Sequence, residues 1–420
     1  MEAVKRLIKN IMKVNVYGNV LNNGFNITKF LRYNGIHATL FLDNSSKSQQ
    51  DFPWWEDNSL TKKNLPNWIK YYEVNPFFLL PNAETKRMIN DFKDCDVALV
   101  NCWGPILAAK AKVKFLFFSI GGDLNCINLQ EDFKSLIYAT MPFKARIKKF
   151  VKMMTYSPLQ KQALIKKANR IFVLMGYQEK PYIEKYGLWH KTLRSRLIWD
   201  VEKYHRKTDK NLEAQYKNYD LVFFMPCRHS WFSLWNDPKG NDKFLKAYAS
   251  YVKKFKPNTV LICIEKGIDI DKSKELVKEL EIENYVFWIK ELNKDGIRSY
   301  ESLENVVVVD QFGHEKWLDR FPAENNKIRI GFGLTSIEAL SAGRLLITAF
   351  ADKEIYEGNS PPVLNAYTEE EIYMRLEEVF NMSKDQRNNM ATKGHDFVRK
   401  WHGLNNVDLY IDELQKIANS

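Results

Sequence analysis

The segment with the most potential for chemistry is a glycine-rich loop that leads into a short predicted helix. Its first six residues are Gly331, Phe332, Gly333, Leu334, Thr335 and Ser336. The unpaired N–H groups and positive dipole end of a helix N-terminus favour a phosphate, and glycine lets the backbone approach it closely. Glu338 lies one turn into this helix, in a position to accept hydrogen bonds from two sugar hydroxyls. The alternative is a capping box between Thr335 and Glu338, which requires no ligand.

Two cations in the second half of the chain complement this loop. Arg228 follows a predicted strand at Leu221–Met225, and Lys239-Gly240 precedes the predicted helix Asp242–Phe255. Ligands of open parallel sheets bind beyond the carboxyl ends of the strands, so we expect both cations at the same edge as the glycine loop. Two cations and a helix N-terminus are the components of a diphosphate site. The alternative is that both are ordinary solvated loop residues.

Strand and helix patterns alternate along the whole chain, which predicts an α/β fold with parallel sheets. The alternation begins at Val14–Tyr17 and restarts midway, so it predicts two Rossmann-like doubly wound domains that face each other across a cleft. We place the first domain at residues 1–200 and the second at residues 201–420. The final predicted helix, Asn406–Ala418, is a candidate to pack back on the first domain.

Together these residues resemble the retaining glycosyltransferases of the GT-B fold, in the large family-4-like group (glycosyl transferases group 1). The residues that match the family motifs in the second half are Arg228, Lys239-Gly240, Gly331-Phe332-Gly333, Glu338-Ala339 and Gly343. In the first half, the segment Ile120–Leu124 is similar to the family's His-Gly-Ser-Asp loop, which makes Gly122 and Asp123 candidates on the acceptor side. The segment Gly18–Gly24 is similar to the family's first glycine-containing loop, which makes Gly24 a donor-binding candidate.

The chain departs from the family pattern at two positions. Ile330 stands where the family has a glutamate that contacts the donor sugar, and Ile120 stands where it has a histidine. Gln311 and His314 are candidates to replace the missing glutamate.

The resemblance implies transfer of a sugar from a nucleoside-diphosphate sugar to a hydroxyl of a glycan or lipid-linked acceptor, with retention at the anomeric carbon. Arg228 and Lys239 would hold the diphosphate and neutralise the leaving group, aided by N–H groups near Leu334 and Thr335, and Glu338 would bind the ribose. We expect no metal and no other cofactor, because preorganised cations meet the developing charge. The implied activity is that of a hexosyltransferase in polysaccharide biosynthesis.

Three other functions stay open. Ile330 favours a non-catalytic relative that binds a nucleotide sugar or a glycan. A nucleotide-sugar epimerase of the same fold is a further candidate. A basic segment suggests nucleic-acid binding, but the chain shows no nucleic-acid-binding module, and we expect no nucleic-acid partner.

The net charge of +12 is concentrated in one segment, because no acidic residue occurs between Phe133 and Gln178. Within Pro142–Tyr156 the spacing predicts an amphipathic helix that ends at Pro158. The cations on this helix are Lys144, Lys148, Lys149 and Lys152, and the apolar residues are Ile147, Phe150, Val151 and Met154. One interpretation is a surface helix whose apolar face lies in the first-domain core. The other is an interfacial helix on an anionic membrane.

The remaining patterns argue against other classes of protein. The pairs Asp94–Asp96 and Asp269–Asp271 have metal-binding spacing, but Asp94 precedes its strand and Asp269 lies in a lysine-rich loop. The five cysteines have irregular spacing typical of reduced thiols. No apolar run approaches the length of a membrane span. We therefore expect a cytoplasmic protein, with peripheral attachment to the inner face of a membrane if the interfacial helix forms.

Overall fold

The computed structural model describes residues 12–44, 48–74, 81–120, 124, 143–174, 176–202, 204, 209–231, 238–313, 332–350 and 353–420. The chain divides into two compact units, one of Met1–Ile198 with Leu404–Ser420 and the other of Trp199–Gly403. The division lies close to the boundary placed after residue 200 from the sequence, and the C-terminal helix belongs to the first unit. None of the helices described combines the length and hydropathy that a membrane span requires.

The first unit is built on a sheet with seven described strands, all parallel to their neighbours. The strands are β1 (Lys13–Tyr17), β2 (His37–Asp43), β3 (Ile69–Tyr72), β4 (Val97–Val100), β5 (Phe115–Ser119), β6 (Arg170–Val173) and β7 (Thr192–Arg194). Their spatial order is β3-β2-β1-β4-β5-β6-β7, so the order reverses between β1 and β4. Such a reversal is the switch point at which doubly wound sheets bind ligands.

Helices cover both faces of this sheet. They are α1 (Asn23–Tyr33), α2 (Pro53–Glu56), α3 (Ala83–Phe92), α4 (Gly104–Ala111), α5 (Phe143–Lys167) and α6 (Gly176–Lys185). One apolar cluster packs α1 against the sheet through Phe30, and another packs α3 and α4 against the opposite face through Phe92 and Leu107. Because both faces are covered, β4 and β5 are buried at every residue, as expected for parallel sheets.

The second unit repeats the same topology. Its described strands are β8 (Leu221–Met225), β9 (Thr259–Ile264), β10 (Val286–Ile289), β11 (Val306–Val309), β12 (Leu345–Thr348) and β13 (Leu364–Asn365). Their order is β10-β9-β8-β11-β12-β13, again parallel and again reversed, here between β8 and β11. The helices are α7 (Lys210–Tyr216), α8 (Asn241–Phe255), α9 (Ile270–Glu279), α10 (Lys294–Glu301), α11 (Leu334–Ser341), α12 (Glu369–Asn381) and α13 (Lys384–His402).

The last helix, α14 (Val407–Asn419), packs into the first unit. Its amphipathic pattern buries Tyr410, Ile411 and Leu414. The Tyr410 ring lies edge-on to Phe172 at 4.9 Å between centroids, and its hydroxyl donates to the Arg196 carbonyl at 3.0 Å. The buried hydroxyl therefore keeps a hydrogen bond while the ring fills the core.

Helix α5 does not end at Pro158, which corrects the sequence prediction. It continues to Lys167 with Pro158 inside it. Proline removes one helical hydrogen bond, but buried residues on both sides of it, Tyr156 and Leu164, anchor the helix in the first unit. The helix ends where the Lys191 ammonium donates to the carbonyls of Leu164, Ile165 and Ala168 at 2.8–3.2 Å.

The first half of α5 is not buried by the core. Ile147, Phe150, Val151 and Met154 are between 40% and 53% exposed. The interpretation that this apolar face packs into the first unit is therefore wrong. Lys144, Lys148, Lys149 and Lys152 lie on the same helix, and their side chains are outside what the structure describes.

Candidate functional site

The candidate phosphate-binding residues lie at the switch point of the second sheet. β8 and β11 are parallel neighbours, so the loops that follow Met225 and Val309 leave the same edge side by side. Arg228, in the first of these loops, is exposed. Gln311 is in the second and is buried.

Lys239 joins the two loops. Its ammonium donates to Gln311 Oε1 at 2.5 Å, and the Phe312 N–H donates to its carbonyl at 2.8 Å. Gly240, next along the chain, has a φ of +67°, and a Cβ there would lie 2.8 Å from the Gly313 carbonyl oxygen. Both the backbone conformation and the close approach require glycine at this position. The Lys-Gly pair noted in the sequence therefore fixes a cation against the loop after β11.

The N-terminus of α11 meets the same loop. Gly333 is its N-cap, with no side chain to cap the helix. A Cβ on Gly333 would lie 3.1 Å from Asp310 Oδ2 and 3.7 Å from Gln311 Nε2, and the Ser336 hydroxyl donates to that Asp310 oxygen at 2.6 Å. Lys239 and the positive end of α11 thus both adjoin Gln311, with the buried Asp310 carboxylate at the same helix end, so an anion bound here would depend on the Lys239 cation as well as on the helix dipole.

The other residues of the glycine-rich loop have distinct positions. Leu334 and Thr335 are partly exposed in the first turn of α11. The Phe332 ring is buried against Phe350 at 4.8 Å between centroids, so it supports the loop from within the core. Gly331 lies outside the described residues, as do Ile330 and His314.

Glu338 is buried and is not part of a capping box. Because α11 begins at Leu334, Thr335 lies inside its first turn and makes no side-chain cap, so the capping-box alternative is wrong. The Glu338 carboxylate instead accepts from the Lys294 ammonium at the start of α10. The Lys294 and Glu338 side chains are 6% and 5% exposed, and the Lys294 ammonium also lies 5.3 Å from the Trp199 ring centroid.

A second carboxyl lies close to this ion pair. Glu301 at the end of α10 is fully buried and accepts from the Tyr204 hydroxyl at 2.7 Å. Burial, together with the negative charge of Glu338, raises the pKa of Glu301 to about 8. The Arg298 guanidinium lies 4.9 Å from the Tyr204 ring centroid. Spacing along the sequence gave no indication of this cluster, because its members come from three separate segments.

His229, next to Arg228, faces the interior. It is fully buried, its Nδ1 lies 2.9 Å from Ser273 Oγ, and its ring is 5.3 Å from Trp288. Burial lowers its pKa to about 4, so the ring is neutral at pH 7. The ring therefore packs inside the second unit, next to the loop that follows β8, and is not in a position to contact a ligand.

The candidates in the first unit are placed only in part. Gly24 is buried in the first turn of α1, and a Cβ there would lie 2.1 Å from the Gly18 carbonyl oxygen, so this glycine permits close backbone packing. Gly122 and Asp123 lie outside the described residues.

The paired aspartates have protein partners. Asp94 bonds to Lys13 at 3.0 Å, and Asp269 accepts from the Trp231 N–H at 3.0 Å and from Lys272 at 2.8 Å. Among the described residues, no group of three or more His, Cys, Asp or Glu side chains is placed to hold a metal.

A cavity of about 620 Å³ lies at the opposite edge of the second sheet, beside the amino ends of β8, β11 and β12. Two of the cations that line it have protein partners: Arg344 donates to the Glu301 and Ser302 carbonyls, and Lys384 pairs with Glu304 at 2.5 Å. Parallel sheets bind ligands at the carboxyl edge, so the Lys239 edge is the better candidate.

Comparison with known proteins identifies the architecture. No family model matches the sequence, and no curated protein gives a significant match. Among solved structures, the chain is similar to HepE from Anabaena in complex with UDP-glucose (TM-score 0.63, 13% identity, 96% of this chain and 99% of that one). It is also similar to a glycosyltransferase from Rickettsia africae (TM-score 0.63, 16% identity, 97% and 99%) and to WaaG, a glycosyltransferase involved in lipopolysaccharide biosynthesis (TM-score 0.58, 13% identity, 96% and 99%). The fold is that of the GT-B glycosyltransferases.

Proposed function

We propose that this protein is a glycosyltransferase that moves a sugar from a nucleoside-diphosphate sugar to an acceptor hydroxyl. The observation that carries the proposal is the convergence of Lys239, Gln311 and the N-terminus of α11 at the switch point of the second sheet. A cation and the N–H groups of a helix N-terminus at one edge match the charge of a diphosphate. The similarity to HepE in complex with UDP-glucose supports the same assignment.

In the proposed reaction, Lys239 and Arg228 hold the diphosphate and neutralise the charge that develops as the sugar bond breaks. Gln311 fixes the Lys239 ammonium before the donor arrives, so little reorganisation accompanies the reaction. These cations are the basis for proposing a metal-independent transfer. Retention at the anomeric carbon and a hexose as the sugar are proposed from the resemblance to the family-4-like glycosyltransferases alone. Glu338 is proposed to contact the ribose, with Lys294 holding its carboxylate.

Thermal unfolding with a panel of nucleotide sugars tests the proposal. A ligand that binds only the folded protein at about one hundred times its Kd adds about 2.7 kcal/mol to the free energy of unfolding. We expect a rise in melting temperature with at least one nucleotide sugar and with its nucleoside diphosphate. Lys239→Ala should lose the rise, whereas Lys246→Ala, an exposed lysine on α8, should keep it. No response to any nucleotide would reject the proposal.

A non-catalytic relative is the second candidate, because Ile330 occupies the position of the family's sugar-binding glutamate. Such a protein would bind the nucleotide sugar without releasing nucleoside diphosphate. An epimerase would return a nucleotide sugar of altered configuration, with no net release of nucleoside diphosphate and no acceptor product. Product analysis by mass spectrometry and NMR separates the three.

We also propose that α5 lies on the anionic inner face of a membrane, where a lipid-linked saccharide is the acceptor and polysaccharide is the product. The exposed Phe150 and Met154 provide the apolar face, and the segment contains no acidic residue between Phe133 and Gln178. An interfacial helix combines these two features.

A further inference from the structure

One buried ammonium and two buried carboxyl groups meet between α10 and α11 in the second unit. Lys294 and Glu301 are the first and last residues of α10, two turns apart, so both lie on the same face of this helix. Helical side chains lean toward the helix N-terminus, and Glu301 therefore leans back toward Lys294. Glu338 reaches this face from α11 and accepts from the Lys294 ammonium. A single cation is thus placed near two carboxyl groups.

The surroundings of Glu301 favour its neutral form. Its Oε2 accepts from the Tyr204 hydroxyl at 2.7 Å, and none of the described residues bonds to its buried Oε1. Burial and the negative charge of Glu338 raise the pKa of Glu301 to about 8. The Tyr204 hydrogen bond and the charges of Lys294 and Arg298 act in the opposite direction and are outweighed. At pH 7 the cluster therefore holds one ammonium, one carboxylate and one neutral acid.

Two arginines border the cluster. The Arg298 guanidinium lies 4.9 Å from the Tyr204 ring centroid and 3.5 Å from an Asp295 carboxylate oxygen. The Arg344 guanidinium donates to main-chain carbonyls at the end of α10. The charge of Arg298 is thus shared with an acid outside the cluster, and Lys294 is the cation that contacts the Glu338 carboxylate.

Ionisation of Glu301 would change the balance of forces on Lys294. A charged Glu301 attracts the Lys294 ammonium and repels the Glu338 carboxylate, because the charges of both groups act on it. Such interactions are strong where water is excluded. Both forces weaken the contact between Lys294 and Glu338, and Glu338 is the carboxylate that the proposed function assigns to the ribose.

We propose that Glu301 is a positioning residue for the nucleotide and that it acts through Lys294. With a proton on Glu301, the Lys294 ammonium stays on Glu338 and fixes that carboxylate for the ribose hydroxyls. Without the proton, the ammonium is shared between two carboxylates, and the nucleotide binds less tightly. Since the protonated form binds more tightly, nucleotide binding near this transition takes up protons. This role of Glu301 rests on the proposed function, because it requires a nucleotide ribose at Glu338.

Isothermal titration calorimetry on the full chain tests this role. The probes are the diphosphates of uridine, adenosine, guanosine and cytidine, each with its dideoxy form, which lacks both ribose hydroxyls. Titrations extend from about one pH unit below the Glu301 pKa of about 8 to about one and a half units above it. For at least one diphosphate, the wild-type affinity should fall about tenfold over this range, the loss expected for a hydrogen bond to a charged group. The dideoxy form, which carries the same phosphates, should show no such fall.

Three variants identify the group that titrates. Glu301→Gln is neutral at every pH, so it should keep its affinity at high pH, and titrations in buffers of different ionisation enthalpy should show no proton uptake. Tyr204→Phe removes a hydrogen bond that favours ionised Glu301, so the fall in affinity should move to higher pH. Glu304→Gln, a change at an exposed glutamate three residues beyond Glu301, is the matched control and should behave as wild type.

The outcomes separate this role of Glu301 from the proposed function. Nucleotide binding that does not depend on pH, or an equal fall in the dideoxy form or in Glu301→Gln, would overturn the role and leave the proposed function intact. No binding of any diphosphate at any pH would reject both. The dideoxy comparison and Tyr204→Phe leave Glu301 in place, so the test stays decisive if Glu301→Gln does not fold.

Discussion

Replacing Lys294 with methionine is expected to destabilise the second unit strongly. The substitution leaves the buried Glu338 carboxylate without its cation and beside a second buried carboxyl, Glu301. Removing one partner of a buried ion pair costs about 3–5 kcal/mol. In a unit of this size 1 kcal/mol corresponds to about 2–4 °C, so the melting temperature should fall by about 6–20 °C.

The paired substitution identifies the cause. Glu338→Gln alone should also be costly, because it leaves the Lys294 ammonium buried against a neutral amide. The double variant Lys294→Met/Glu338→Gln removes both charges and should recover most of the loss, since a buried pair replaced as a whole is often nearly neutral. Lys384→Met is the control: its pair with Glu304 is exposed, so its cost should be below about 1 kcal/mol.

Calorimetry measures the melting temperature of the four variants. Nucleotide-sugar turnover is then assayed at a temperature below the unfolding transition of every variant. If Glu338 contacts ribose, the double variant should remain inactive although its stability is recovered. Melting of both single variants within about 2 °C of wild type, the shift expected for an exposed pair, would refute the buried-pair reasoning. Strictly additive losses in the double variant would refute it as well.

Three further predictions concern the donor site, the buried glutamate and the exposed helix. Lys239→Ala and Arg228→Ala should each lower kcat/KM for the donor, by an amount that corresponds to about 1.5–3 kcal/mol of lost transition-state stabilisation. The control Lys246→Ala should leave kcat/KM unchanged. Wild-type kinetics in both site variants would reject the site. Glu301 has a folded pKa of about 8, above the ordinary value of about 4.3, so the folded state holds a proton that the unfolded state loses. The free energy of unfolding should therefore fall as pH rises through this window, and urea titrations of Glu301→Gln should lack that slope. Wild-type protein should sediment with anionic vesicles in a salt-sensitive manner and little with neutral vesicles. Changing four lysines of α5 to glutamine should abolish sedimentation with the anionic vesicles. If that variant still sediments with them, the helix is not the anchor. The four are Lys144, Lys148, Lys149 and Lys152.

The sequence was sufficient for the layered order of strands and helices because apolar runs and turn residues are local signals. It also placed Lys239 and the glycine loop at one strand edge, since topology alone brings such loops together. The Lys294–Glu338 pair could not be predicted from the sequence, because its members are far apart along the chain and each residue type is common at surface positions. The Thr335-x-x-Glu338 spacing suggested a capping box, yet the helix begins at Leu334 with Gly333 as its N-cap, two residues too early for Thr335 to be the cap.

Helix α5 shows a second limit of local patterns. Pro158 is a strong local stop signal, but packing of Tyr156 and Leu164 on either side outweighs it. Periodicity identified the apolar face of the same helix, and it did not indicate whether core or solvent covers that face. Only the tertiary arrangement shows that Phe150 and Met154 are exposed.

Release of nucleoside diphosphate from a nucleotide sugar tests the central claim most directly. Purified protein is incubated with a panel that includes UDP-glucose, and the released diphosphate and any glycosylated acceptor are measured over time. The account predicts release from at least one donor, coupled to an acceptor product, that is severely reduced in Lys239→Ala and unchanged in Lys246→Ala. No release from any donor, or equal release by the Lys239→Ala variant, would contradict it.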